Sequence, residues 1–194
     1  MNIKSYDNEV NWEELDELEI KECSFSENPS PKTTAKVAYS KTNGLQVFVR
    51  TYRLPERAVC FNNGEDVWQD SCLECFVSFD NVKYINMEAN SNGALLTAIG
   101  KDRYERTSLF TLDKALPNVK AEVLDDGWTV LFTMPNQTIK DFFNVEVTEN
   151  TPVYLNIYCC GDLTPNPYYG ALNEPKSEVP DFHLIQFFKE MIIK

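Results

Sequence analysis

A chain of 194 residues is the size of one ordinary domain, long enough to bury about 70% of its unfolded surface without help from a disulfide or a metal. Apolar residues at 43% and charged residues at 25% exclude a disordered chain. The net charge of −12 repels phosphate backbones and anionic headgroups, which argues against nucleic acid and membrane surfaces as partners and leaves neutral ligands, cationic ligands and divalent cations.

No run of 18 apolar residues is present, so no membrane span is expected. Met1–Val10 has no apolar core of a signal peptide. The expected location is therefore the cytoplasm, or outside the cell where a leader has been removed, and reduced thiols are expected at Cys23, Cys60, Cys72, Cys75, Cys159 and Cys160. Adjacent Cys159 and Cys160 would point to opposite faces of a strand and could not easily pair with each other.

Taken in chain order, residues 11–20 are rich in acids and predict a short helical turn capped by Asn11. Pro29 and Pro31 then break the chain, and from about residue 33 the apolar period changes to two. Val47 and Val49 alternate with Phe48 and Arg50. Leu73, Cys75 and Val77 alternate with Glu74 and Phe76, and Ile85, Met87 and Ala89 with Tyr84, Asn86, Glu88 and Asn90. Trp128, Val130 and Phe132 follow the same pattern, as do Val153, Leu155 and Ile157 against Tyr154, Asn156 and Tyr158. Such half-buried runs, rich in β-branched and aromatic residues, predict strands. Turns are expected at Thr42-Asn43-Gly44, Asn62-Asn63-Gly64, Asp80-Asn81, Asn92-Gly93 and Asp125-Asp126-Gly127, the last a hairpin. A helix is expected over Asn136–Phe143, after Pro135. The fold class is thus all-β: an antiparallel, jelly-roll-like β-sandwich with one or two short helices. Residues 1–32 read as an N-terminal extension packed on a single domain spanning residues 33–194. The proline-rich stretch from Gly161 to Pro180 is long for a connection in a compact domain, a feature of functional loops.

The single histidine, His183, rules out a histidine metal cluster, and no G-x-S-x-G, P-loop or G-x-G-x-x-G string occurs. Cys72-Leu73-Glu74-Cys75 has redox spacing but lies inside an alternating strand, which places Cys75 in the core and Cys72 on the other face. A binding face is better supported. Tyr84, Asn86, Glu88 and Asn90 share one face of a strand. Tyr154, Asn156 and Tyr158 share one face of another, and Glu74 joins Cys72 and Phe76 on a third. Amides and carboxylates meet sugar hydroxyls, and flat rings cover the apolar faces of a pyranose. Arg103 and Arg106 add forked donors. The same faces are also compatible with solvated surface or with polar pairs buried between sheets. Trp68 stands at the rim of an Asn-Asn-Gly-Glu-Asp loop and reads as a candidate stacking platform. Trp128 reads as core and Trp12 as packing for the N-terminal segment. His183 is equally suited to a structural role and to a ligand contact.

Val67-Trp68-Gln69-Asp70-Ser71-Cys72-Leu73-Glu74-Cys75-Phe76-Val77 resembles a known family. So do Tyr84-Ile85-Asn86-Met87-Glu88-Ala89-Asn90-Ser91-Asn92-Gly93, the string Gly100 to Arg106, and Pro180-Asp181-Phe182-His183 followed by Phe187-Phe188. In order and spacing, over about residues 34–193, these strings are similar to the family 9 carbohydrate-binding modules, in the stand-alone branch. The resemblance implies a β-sandwich that binds a mono- or oligosaccharide, often at a chain end, in a slot between two aromatic rings. It implies no required cofactor and admits structural Ca²⁺, as bound in some members. It implies ligand contacts from Trp68, Glu74, Glu88, Asn90, Arg103 and Arg106, beside which Asn86 from its strand face and His183 stand as further candidates. The second ring is a departure: where relatives carry Ser-Trp-Asn-Pro, this chain has Ala171-Leu172-Asn173-Glu174, which leaves Tyr168 or Tyr169 to substitute. The expected function is non-catalytic carbohydrate binding. The alternatives are a glycoside-active enzyme with paired carboxylates such as Glu74 and Glu88, and a protein-interaction domain with a vestigial slot and an apolar patch around Leu172.

Overall fold

The computed structural model describes residues 1–177 and 179–194. Its strands are β1 (Asn2–Tyr6), β2 (Leu18–Glu22), β3 (Thr33–Ser40), β4 (Gly44–Thr51), β5 (Cys72–Ser78), β6 (Tyr84–Asn90), β7 (Leu95–Gly100), β8 (Arg106–Ser108), β9 (Asn118–Leu124), β10 (Gly127–Met134), β11 (Pro152–Cys160), β12 (Tyr169–Ala171) and β13 (Lys189–Ile193). The one α-helix among the described residues, α1, spans Asn136–Phe143.

Two layers result. The first runs β8-β7-β6-β5-β11, and the second runs β3-β4-β10-β9. They are joined along one side by strands that change partner partway. In β1, Asn2 and Ile3 pair with β13 while Lys4–Tyr6 pair with β3. In β2, Leu18–Ile20 pair with β3 while Lys21 and Glu22 pair with β12. Both β12 and β13 return to β11. The residues before Thr33 therefore supply the two strands that carry backbone pairing from one layer to the other. Every pairing is antiparallel except those of β1.

The alternation read from the sequence sets the layers face to face. Leu73, Cys75 and Val77, Ile85, Met87 and Ala89, and Leu155, Ile157 and Cys159 point inward from the first sheet. They meet Val47, Val49, Trp128, Val130 and Phe132 of the second in one core. Helix α1 closes an end of the sandwich by burying Ile139, Phe142 and Phe143, with Phe143 set 5.5 Å from Phe79. It stops at Asn144, which adopts the left-handed conformation of a helix C-cap (φ 55°). The acidic N-terminal segment forms only a 3-10 turn at Trp12–Glu14, where the Asn11 side chain accepts from the Glu13 N–H at 3.3 Å. Beyond it, Leu18 and Ile20 keep the period of two and pair with β3 in place of extending a helix.

Two glycines are required by the backbone. Gly44 has φ +95°, and a Cβ there would lie 2.1 Å from the Met134 carbonyl oxygen. Gly127 opens β10 after the Asp125-Asp126 turn. Its need is close passage, since a Cβ would meet the Thr51 carbonyl oxygen at 2.0 Å. Gly44→Ala is expected to lower stability by at least ~1 kcal/mol, read as a lower denaturation midpoint; an unchanged midpoint would show that the β3–β4 turn relaxes freely.

All six cysteines are free. Cys75 and Cys159 lie in the inter-sheet core, while Cys72 and Cys160 lie on the opposite face of the first sheet, as strand alternation requires. Among the described residues no helix is long and apolar enough to cross a membrane.

Candidate functional site

The outer face of the first sheet carries the residues that the alternation left off the core. Register sets them in rows across the strands. Tyr158, Glu74, Glu88 and Leu96 form one row, Cys160, Cys72 and Asn90 the next, and Asn156, Phe76, Asn86 and Ala98 the row on the other side. Exposed to water, this face would be a polar sheet surface. It is instead covered by loops and buried almost throughout, with Glu74 and Glu88 each only 3% exposed.

The cover is held down by rings. In the segment before β13, Phe182 stacks on Tyr158 (centroids 4.1 Å apart, planes 10° apart), and the Tyr158 hydroxyl donates to the Phe182 carbonyl at 2.9 Å. His183 lies over Phe76 at 4.8 Å, and its Nδ1 sits 2.8 Å from the Tyr84 hydroxyl. The Asp181 carboxylate accepts the His183 backbone N–H at 2.9 Å. Contacts of this kind are each worth about 0.5–1.5 kcal/mol beyond area burial, so this segment is a fixed wall.

Trp68 stands on a 3-10 turn, Val67–Gln69, anchored by fully buried Val67. The turn is tied to the long loop after β11: the Leu163 N–H donates to the Gln69 carbonyl at 3.1 Å. The loop from β7 to β8 brings two arginines. Arg106 reaches the Glu88 carboxylate at 3.8 Å and donates from Nε to the Arg103 carbonyl at 3.1 Å, while Arg103 donates to the Pro180 carbonyl at 3.2 Å.

Between these parts lies a slot of about 310 Å³, at the lower end of small-molecule sites. Of the residues expected from sequence, Trp68, Glu74, Glu88, Arg103, Arg106, Tyr169 and His183 line it together. Asn86, Asn90 and Tyr168 do not. Asn86 is fully buried and gives its amide to Glu88 Oε1 at 2.9 Å, so it orients a slot carboxyl from the floor. Asn90 donates to the Cys60 carbonyl and to Asp70 Oδ2, both at 2.8 Å, and serves the loop that carries Trp68. Tyr168 takes the opposite strand face from Tyr169: it packs into the inter-sheet core with the Arg53 guanidinium 4.5 Å over its ring. Leu172 is half-buried against that same core, with its N–H donating to the Ile157 carbonyl, and it is no part of the slot.

Sequence reasoning did not reach Asp66, Leu96, Cys160, Asp162 and Phe182, which also line the slot. For Cys160 a signal was present, because it shares the face of Tyr154, Asn156 and Tyr158. Asp66 and Asp162 come from loops, where no periodicity marks a side chain's direction.

The electrostatics follow from burial. Glu74 is held well above the ordinary carboxylate range by desolvation and then by the facing Glu88. Glu88 is pushed up to about 7 by burial, with Arg106 and the Asn86 amide opposing. Burial thus lets these carboxyls hold protons to higher pH than exposed ones, and a carboxyl that holds its proton can both donate and accept. Asp162 is also raised by burial, against a hydrogen bond from Tyr169. His183 is pushed down to about 3 by burial, with the charges of Arg106 and Arg103 adding to the effect, so it is a neutral imidazole.

That depression has a consequence for stability. The folded chain keeps His183 neutral while the unfolded chain takes up a proton near pH 6.5, so its contribution is complete above that pH and is lost as pH falls towards 3. About 2 kcal/mol should be lost by pH 5. Comparing denaturation midpoints of wild type and His183→Asn between pH 7.5 and 5 isolates this effect, because the raised Glu74 and Glu88, which act with the opposite sign, are common to both chains. Parallel pH curves for the two proteins would refute it.

Ca²⁺ needs six to eight oxygen ligands. The one grouping of three or more acidic, thiol or imidazole donors among the described residues is Cys72, Glu74 and Cys160, which offers a single carboxylate and does not fit that ion.

The model of carbohydrate-binding family 9 matches residues 4–193. Among solved structures, the chain is similar to a candidate carbohydrate-binding protein from Bacteroides uniformis (18% identity, 100% of this chain and 98% of that one, TM-score 0.83). It is also similar to a family 9 carbohydrate-binding module from Caldicellulosiruptor kristjanssonii in complex with cellotriose (15% identity, 100% and 94% covered, TM-score 0.64) and in complex with glucose (13% identity, 100% and 95% covered, TM-score 0.63). No curated protein matches the sequence. At these identities the structures establish a shared sandwich fold. The family match over nearly the whole length, on a chain whose outer sheet face ends in an aromatic and polar slot, establishes membership: this protein belongs to carbohydrate-binding family 9.

Proposed function

We propose that the slot binds one sugar unit, either a free monosaccharide or the terminal unit of an oligosaccharide, without cleaving it. Trp68 and Tyr169 cover the C–H faces of the ring. Arg103, Arg106, Glu88, Asp162 and His183 take its hydroxyls. The observation that carries this reading is the convergence of aromatic rings with buried carboxyls and guanidiniums on a single hollow of about 310 Å³. Hydroxyl groups need donors and acceptors side by side, and a proton-holding carboxyl pair beside two arginines supplies both. The sugars carried by the Caldicellulosiruptor module support the choice of ligand class.

The glycosidase reading draws on one feature, the facing carboxyls of Glu74 and Glu88. They occupy directly opposed positions on neighbouring strands and rise from one floor. A hydrolase needs its two carboxyls to flank the glycosidic bond. The binding reading accounts better for that arrangement.

Calorimetric titration with glucose, xylose, cellobiose and cellotriose tests the proposal. Saturable one-to-one binding of at least one neutral sugar is expected, with no release of a chromogenic aglycone from matched glycosides. Absence of any heat at millimolar sugar overturns the binding reading. Turnover that disappears in Glu74→Gln replaces it with the hydrolase.

A further inference from the structure

We propose that Cys72, Cys160 and Glu74 form a site for one thiophilic divalent metal ion of the zinc class, set into the floor of the slot. This goes beyond sugar recognition and does not depend on it.

The three donors are brought together by register. Cys160 stands directly opposite Cys72 in the β11–β5 ladder, and Glu74 follows Cys72 by two residues on the same face. Their ligating atoms all lie within 4.8 Å of one another. The Cys160 thiol donates to Glu74 Oε1 at 3.0 Å, while the Cys72 thiol lies 3.6 Å from the Leu73 carbonyl oxygen. A tetrahedral ion with bonds of about 2.3 Å to sulfur and about 2.0–2.2 Å to oxygen would hold such atoms roughly 3.4–3.9 Å apart, which is within the 4.8 Å spread of the cluster.

A second observation points to a ligand. Glu74 is 3% exposed, lines the slot, and has the Cys160 thiol as its one hydrogen-bond partner among the described residues. A nearly buried carboxyl on a strand otherwise pairs with amides or arginines. Here its neighbours in the row are Tyr158 and Glu88, and the guanidinium of Arg106 is engaged by Glu88. Cys160 also lines the slot, so the open side of the triangle faces it. That is the pattern of three protein ligands with a fourth position free for water or a ligand oxygen.

The donor set selects the metal. Two thiolates with one carboxylate suit zinc or cadmium, and calcium and magnesium prefer oxygen alone. Binding balances simply. Two metal–sulfur bonds and one metal–oxygen bond form as the Cys72 and Cys160 thiols and the Glu74 carboxyl each release a proton to solvent, and the metal keeps its oxidation state. A disulfide between the same residues is disfavoured, because buried neutral thiols react slowly with oxidants.

Cobalt(II) titration of the reduced, chelator-washed full chain tests the proposal, with no sugar present. One equivalent should bring up a sulfur-to-cobalt charge-transfer band in the near ultraviolet, and zinc should abolish it. Cys72→Ser and Cys160→Ser should each lose the band while keeping the wild-type circular dichroism, and Cys60→Ser should retain it. Should the serine variants misfold, Glu74→Gln provides a second reading, with a weaker cobalt midpoint expected. No band in wild type, or a band that persists in Cys72→Ser/Cys160→Ser, overturns the site. Neither result bears on sugar binding, which the calorimetry measures separately.

Discussion

Alanine in place of Trp68 is expected to weaken sugar binding by roughly 70–400-fold while leaving the fold intact. A ring that covers one face of a pyranose removes on the order of 80–100 Å² of apolar surface from water, about 2 kcal/mol at 25 cal/mol/Å², and the contact geometry adds about 0.5–1.5 kcal/mol. The stability cost is small by comparison, since Trp68 is only half-buried and its turn is anchored by Val67. Trp68→Phe should recover most of the affinity because it restores a flat apolar face. Titration of the three proteins with whichever sugar wild type binds best decides the matter. Equal affinities would place the sugar somewhere other than this slot.

Asp70→Ala should have the larger effect on stability, about 3–5 kcal/mol. The Asp70 side chain is completely buried. Its Oδ2 accepts the N–H groups of Val59 and Cys60, both at 3.0 Å, and the Asn90 amide at 2.8 Å, while Arg57 Nε lies 3.2 Å from Oδ1. Removing the carboxylate strands two backbone donors and a half-buried guanidinium at once, and leaving such groups unsatisfied costs about 1–3 kcal/mol each. The loop they hold runs into Asp66 and Trp68, so sugar affinity should fall together with stability. Denaturant unfolding reads the global loss, and amide exchange at Val59 and Cys60 reads the local opening. Wild-type protection at both amides would show that the clamp is redundant.

Trp68 and Asp70 are two positions apart in one motif, yet one lines the slot and the other holds the loop that presents it. Nothing in their local sequence separates the roles. Glu74 and Glu88 were legible as members of polar strand faces because alternation depends only on the chain's own pleat. Asn86 and Asn90 were equally legible as face members, and the structure uses both as supports, because each finds a partner within hydrogen-bond reach before a ligand can. Tyr168 and Tyr169 show the same limit at its smallest scale: Tyr168, just before β12, and Tyr169, its first residue, point to opposite sides, and which of them meets the slot depends on how β12 pairs with β11.

The five alternating runs with their inward and outward faces, the helix after Pro135 and the opposed placement of Cys72 and Cys75 all follow from the primary structure, since each depends on interactions spanning a few residues. The N-terminal strands that join the layers, the approach of Asp66, Asp162 and the Pro180–His183 segment over one sheet face, and the meeting of Cys72 with Cys160 across 88 positions of chain came only with the folded molecule. Their physical cause is long-range: covering the ring-rich outer face around Phe76, Tyr84 and Tyr158 removes apolar surface from water, and that burial draws distant loops together whatever their local pattern.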